Sequence, residues 1–169
     1  NILSTSLLKI QYKADYSHTL VAAKVCFSGY YIYIETSSPR HQGERAVLSS
    51  GIQPATAADG NCLSFWYHML GAHVNKFNVY LKQQGGNQTM IWSRSRTQAN
   101  IWHNGLRTVK SNLPYEILFE GIVGYSWQGD IALDDITMTT GHCPAPCMYL
   151  AYISLRPYPS CFGIKVFQS

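Results

Sequence analysis

Charge is scarce in this sequence: Asp, Glu, Lys and Arg make up 13% of its 169 residues, about half the share usual in soluble proteins. Thirteen basic against nine acidic side chains leave a net charge of +4, and no block of five or six like charges occurs, so nothing argues for a nucleic-acid partner. Apolar stretches such as Leu20 to Ala23 fall far short of the ~20 residues of a membrane helix, which excludes membrane insertion by that route. Asn1-Ile2-Leu3-Ser4 does not begin a signal peptide, so the chain reads as a processed or excised piece of a longer protein. Catalytic signatures are missing too. There is no Walker loop and no dinucleotide fingerprint, and His68 and His73 lack the His-Glu-x-x-His spacing of a zinc protease. The run Gly124 to Gly129 misses the Gly-x-Ser-x-Gly elbow by one residue. Glu35, Glu116, Glu120 and Asp130 offer no glycosidase pair. The sequence reads as non-enzymatic.

What is present is a folded module. The hydrophobic share is 46%, with twelve Tyr, six Phe and four Trp, and a chain of this size forms one domain burying roughly two-thirds of its unfolded surface. Five cysteines, Cys26, Cys62, Cys143, Cys147 and Cys161, show neither a C-x-x-C pair nor a Cys₂His₂ spacing, and suit disulfides better than zinc. Five reduced, buried thiols are the alternative. Asn87-Gln88-Thr89 is a glycosylation acceptor beside the turn signal Gly85-Gly86. With few Lys and Glu and many Tyr, the sequon favours an extracellular setting.

From Gly29 onward the apolar period is two. Tyr30, Ile32 and Ile34 alternate with Tyr31, Tyr33 and Glu35; Leu63, Phe65, Tyr67 and Met69 share one face; Phe77, Val79 and Leu81 share another. Weaker strands are expected at 45–49, 89–93 and 106–110, and clear ones at 115–120 and 131–138. Turn signals at Ser37-Ser38-Pro39, Asp59-Gly60, Gly85-Gly86-Asn87, His103-Asn104-Gly105 and 124–129 punctuate them. Many short strands without an amphipathic helix predict an all-β fold, an antiparallel β-sandwich of jelly-roll type. Residues 1–28 alternate poorly, and four prolines make the last 26 residues, 144–169, an unlikely source of central strands.

Three runs carry more specific information: Gly29-Tyr30-Tyr31-Ile32-Tyr33-Ile34-Glu35-Thr36; Cys62-Leu63-Ser64-Phe65-Trp66-Tyr67-His68-Met69-Leu70-Gly71; and Phe119-Glu120-Gly121 followed by Gly129-Asp130-Ile131-Ala132-Leu133-Asp134-Asp135-Ile136. Their order and separations resemble the MAM domain, an extracellular module of meprins, neuropilins and receptor tyrosine phosphatases. Trp92 and Trp102 also fall where such modules place tryptophans. The resemblance implies a jelly-roll sandwich, a disulfide between Cys62 and Cys143, and a role in cell-surface adhesion or assembly as one unit of a larger ectodomain. It divides the chain into a divergent segment, 1–28, matching from about residue 15; a domain core, 29–144; and an unmatched tail, 145–169. The family's first strand is not recognisable before Asp15, and Cys26, Cys147 and Cys161 have no assigned partners.

Asp134-Asp135 is the most chemically pointed pair. On a strict period of two, Asp135 shares the face of Ile131 and Leu133, which would bury a carboxylate. A bulge, backbone hydrogen bonds or a structural Ca²⁺ or Na⁺ are the alternatives that would satisfy it; some MAM domains hold such an ion near this motif. Tyr31 and Tyr33 are interface candidates, because tyrosine joins apolar area to a polar tip. Arg94, Arg96, Arg107 and Lys110 with Trp92 and Trp102 form either a basic, aromatic patch for an anionic partner or a solvated face beside core tryptophans. The function expected is a non-catalytic interaction module with homophilic or heterophilic protein partners. A lectin-like module that binds glycans, and an accessory domain of a secreted or membrane-bound protease, are the rival readings.

Overall fold

The computed structural model of the chain describes residues 8–12 and 30–144. Cys26, Cys147, Cys161 and the expected tail lie outside the described residues. Nine strands follow in order: β1 (Leu8–Tyr12), β2 (Tyr30–Ile34), β3 (Arg45–Ser49), β4 (Asn61–Met69), β5 (Lys76–Gln83), β6 (Gln88–Ser95), β7 (His103–Val109), β8 (Tyr115–Ile122) and β9 (Ile131–Thr140). They form two antiparallel sheets, one ordered β1-β2-β9-β4-β7 and the other β3-β8-β5-β6. No helix occurs among the described residues.

The period-two reading explains why these segments are strands and which face each one buries. In β4, Leu63, Phe65, Tyr67 and Met69 are buried while Ser64, Trp66 and His68 between them are half-exposed. Phe77 and Val79 of β5 meet them from the second sheet, together with Ile117 and Phe119 of β8. The edge strand β6 has mostly exposed residues, which is why its alternation is faint in the sequence. One element departs from the reading. Leu8–Tyr12 pairs antiparallel with β2, Leu8 opposite Ile34 and Tyr12 opposite Tyr30, so a strand precedes Asp15 where none was recognisable.

Phe65 sits at the centre of the core, fully buried. Its ring meets Trp92 at 5.1 Å, Phe119 at 5.4 Å and Phe77 at 6.0 Å, each edge to face, the arrangement that aromatic quadrupoles favour. Room for the ring is made on both neighbouring strands. On one side Gly105 of β7 lies directly opposite Phe65, and a Cβ there would overlap the ring. On the other side β9 bulges: Trp66 faces Asp134, but Ser64 faces Thr137, so Asp135 and Ile136 together stand opposite Phe65. Asp135 takes φ of 46°, a conformation that Asp tolerates better than most residues.

Cys62, early in β4, forms a disulfide with Cys143, just past β9, with their Cα atoms 4.6 Å apart, inside the bridgeable range. The Cys143 N–H donates to Thr108 Oγ1 at 3.0 Å, which ties the end of β9 across β4 to β7. The two half-cystines are 81 residues apart in sequence, and closing a loop of that length removes about 4.5 kcal/mol of denatured-state entropy in the chain-entropy model.

Two stability changes are expected. Replacing both cysteines, Cys62→Ala with Cys143→Ala, lowers the free energy of unfolding by about 2–4 kcal/mol, read as a lower urea midpoint with a steeper slope, since the denatured chain without its crosslink exposes more surface. Gly105→Ala costs about 1–3 kcal/mol by overpacking, since the Phe65 ring is boxed in by three others; a midpoint equal to wild type would show that the ring has space to move.

Candidate functional site

The inward register fixes the outward one. Ile32 pairs with Leu133, and Leu133 with Tyr67, so Tyr31, Tyr33 and His68 point away from the core on the outer face of the five-stranded sheet. There they gather around Trp102, which comes in just ahead of β7. The Tyr31 ring meets Trp102 at 5.6 Å and Tyr33 at 6.2 Å, and His68 lies 5.7 Å from Trp102. His68 Nε2 is 3.0 Å from Asn100 Oδ1. Burial first, then the neighbouring Tyr33 and Asp130, raise the Tyr31 hydroxyl above the ordinary tyrosine pKa. The two tyrosines share the outer face, and both are half-buried in an aromatic layer that partly covers itself.

The carboxylate pair lies differently from the strict-period expectation. Because β9 bulges, Asp135 leaves the face of Ile131 and Leu133 and is exposed, and its N–H donates to Asp134 Oδ1 at 2.9 Å. The buried bare carboxylate that called for a cation does not arise at Asp135. Among the described residues no group of three or more His, Cys, Asp or Glu gathers in a metal-holding arrangement.

The proposed basic, aromatic patch divides. Trp92 is packed into the core against Phe65 and Tyr67, whereas Trp102 belongs to the outer face of the opposite sheet. Arg94 lies 5.7 Å over the Trp92 ring and donates from Nε to Tyr67 Oη at 3.3 Å. Asn87 is exposed in the turn between β5 and β6.

Sequence reasoning missed two features. The first is Glu120, which points outward from the middle of the second sheet yet is only 5% exposed. Asn78 Nδ2 and Tyr80 Oη donate to its Oε2 at 3.0 and 2.9 Å, and Arg45 Nη1 to its Oε1 at 3.2 Å. Ser93 Oγ donates in turn to Asn78 Oδ1 at 2.7 Å. Burial, followed by the bond to Glu120, raises the Tyr80 hydroxyl pKa. The three donors to Glu120 come from the two strands that flank β8, each about forty or more residues away in sequence, so no local motif marks the network.

The second is the loop joining β8 to β9, where Tyr125 is 77% and Trp127 63% exposed. The loop itself is held firmly. The Thr36 N–H donates to Asp130 Oδ1 at 3.0 Å, and Thr36 Oγ1 stands 2.8 Å from the same oxygen and 3.2 Å from the Trp127 carbonyl. The His73 N–H donates to the Gln128 carbonyl at 2.9 Å. Gly124 packs against the His73 carbonyl so closely that a Cβ there would collide with it. Exposed Leu70 adjoins Gly71, which also abuts the Gln128 carbonyl. Two aromatics inside a glycine-bounded turn, outside any alternating run, are the signal that could have revealed this pole.

A model of the MAM domain (meprin/A5/mu) matches residues 11–144. The human MAM domain-containing glycosylphosphatidylinositol anchor protein 1 is 41% identical over 118 residues, covering 69% of this chain and 12% of that protein. The mouse MAM domain-containing glycosylphosphatidylinositol anchor protein 2 is 36% identical over 126 residues, covering 68% of this chain and 13% of its own length. This chain therefore spans a small part of the length of these relatives. Among solved structures, TmCBM61, a carbohydrate-binding module in complex with beta-1,4-galactotriose, aligns with a TM-score of 0.53 at 18% identity over 81% of this chain and 84% of that one. That likeness is one of fold. With the family model matched over most of its length, the two-sheet architecture and relatives at 41% and 36% identity, the chain belongs to the MAM domain family.

Proposed function

We propose that this domain is a non-catalytic extracellular module that makes protein–protein contacts, for adhesion or assembly, as one unit of a larger membrane-anchored or secreted protein. The observation that carries the reading is the rigid pole at Tyr125 and Trp127, the two most exposed aromatic rings among the large hydrophobic residues described. Tyrosine and tryptophan are the residue types that most often anchor protein interfaces, and a loop already fixed by Thr36, His73 and Asp130 loses little entropy when it docks. The aromatic layer of Tyr31 and Tyr33 offers a secondary contact surface.

An oxidising compartment supports the extracellular setting, because a disulfide persists there and not in the cytosol. The relatives' names as glycosylphosphatidylinositol anchor proteins point the same way. Glycosylation at Asn87 fits the geometry. Gln83, at the end of β5, pairs with Tyr115 at the start of β8, whereas the Tyr125 loop follows the other end of β8. A glycan at Asn87 therefore stands at the pole opposite the docking loop and leaves it clear.

Beads coated with the glycosylated protein are expected to cluster, and the double change Tyr125→Ser with Trp127→Ser to cut clustering at least fivefold, about 1 kcal/mol, at an unchanged melting temperature. Clustering that persists in the double variant would move the contact away from this pole. Beads that never cluster would leave a heterophilic partner as the reading, tested by retention of the same beads on cultured cells.

A further inference from the structure

Between Asp59 and Glu116 the chain holds no carboxylate, yet it carries Lys76, Lys82, Arg94, Arg96, Arg107 and Lys110. That stretch supplies β4 to β7, and the topology collects those strands on one flank: β4 and β7 end one sheet, and β5 and β6 end the other. The two ends lie together, since Trp92 of β6 packs on Phe65 and Tyr67 of β4. All six side chains are exposed, and among the described residues none is paired with a carboxylate. The acidic residues of β8 and β9 lie one strand further in, on the neighbours of β5 and β4, and Glu116 stands across from Lys82 with no ion pair between the two side chains. A protein with little charge overall thus carries six cations and no carboxylate on the stretch that forms its β4–β7 flank.

The two edge strands aim part of this charge at the seam between the sheets. Gly105 faces Phe65 and Arg107 faces Leu63, so Arg107 follows the inward register of β7. Arg94 follows that of β6 and reaches Tyr67 of the other sheet. Inward-pointing charges on edge strands prevent edge-to-edge association, but that role does not require a flank free of carboxylates over its whole length.

We propose that the β6–β7 flank binds a linear sulfated polysaccharide of the glycosaminoglycan class. An eight-residue strand such as β6 runs about 26 Å, an extended track that suits a chain-like polyanion. Guanidinium groups present planar forks of donors that match tetrahedral oxyanions. An acidic protein fits less well: its interface would need an exposed aromatic anchor, and Trp92, the aromatic of this edge, is turned into the core.

The test is chromatography and titration of the whole glycosylated chain on heparin across a sodium chloride series. Desulfated heparin and polyglutamate serve as comparison ligands. The variant Arg96→Gln with Arg107→Gln is set against Gln42→Glu with Gln128→Glu, which lowers net charge equally but away from the flank; equal melting temperatures establish that both fold. The flank variant is expected to bind heparin about fivefold more weakly at physiological salt, and with a shallower salt dependence. The matched variant stays near wild type. Equal losses in the two variants, binding to polyglutamate as tight as to heparin, undiminished binding to desulfated heparin, or no retention at low salt would each overturn the proposal.

Discussion

A single buried ring sets the geometry of the five-stranded sheet. Phe65 fills the space between the layers where Phe77, Trp92 and Phe119 converge, and neither strand beside it is ordinary at that level. β7 yields by having no side chain at Gly105; β9 yields by inserting an extra residue. An aromatic ring laid over a cross-strand glycine is a known way of pinning register. Here register matters more than usual, because a slip of one residue in β4 would exchange Leu63, Tyr67 and Met69 with Ser64, Trp66 and His68. The disulfide, three residues before Phe65 on the same strand, holds that register from the other end.

The consequences of that ring explain what the sequence discloses and what it conceals. Eight of the nine described strands read directly from the sequence, because they alternate or follow a glycine or proline signal, and the Cys62 to Leu70 run appears with its buried face intact. Asp135 is misplaced by the same reasoning. A period of two assumes an unbroken pleat, and the bulge that breaks it lies opposite Phe65 on the neighbouring strand, some seventy residues away in sequence. Glu120 is concealed for a related reason: its partners Arg45, Asn78 and Tyr80 come from two flanking strands, and no local pattern announces a cross-strand network. β1 is legible only in hindsight. Leu8 to Tyr12 alternates over five residues, too short a run to stand out from an otherwise irregular segment.

Charge follows topology in the same non-local way. Along the sequence the basic residues look dispersed, with gaps of many positions between Lys82, Arg94 and Arg107. Folding removes the dispersion, because the strands that carry them are successive in sequence yet end up stacked at the same flank of both sheets. Absence of carboxylates over the whole run, and not any local cluster of cations, is what produces the field, and fields of that kind act through long-range attraction and fast encounter more than through tight contact.

The outer face of the second sheet bears on the rival reading as a lectin-like module. Recognition of a neutral sugar by hydrogen bonding needs acceptors and donors that are free to exchange water for hydroxyl groups. On that face the central carboxylate of Glu120 already receives bonds from Arg45, Asn78 and Tyr80, and Asn78 is itself engaged by Ser93. A sugar binding there would have to break a bond to a nearly buried charge for each one it made, and leaving such a charge unpaired costs more than a surface hydrogen bond returns. The network therefore stabilises the sheet and commits the polar groups at its centre. The surfaces proposed for recognition, the aromatic loop at one pole, the Tyr31 and Tyr33 layer of the other sheet and the cationic flank, all lie outside this network.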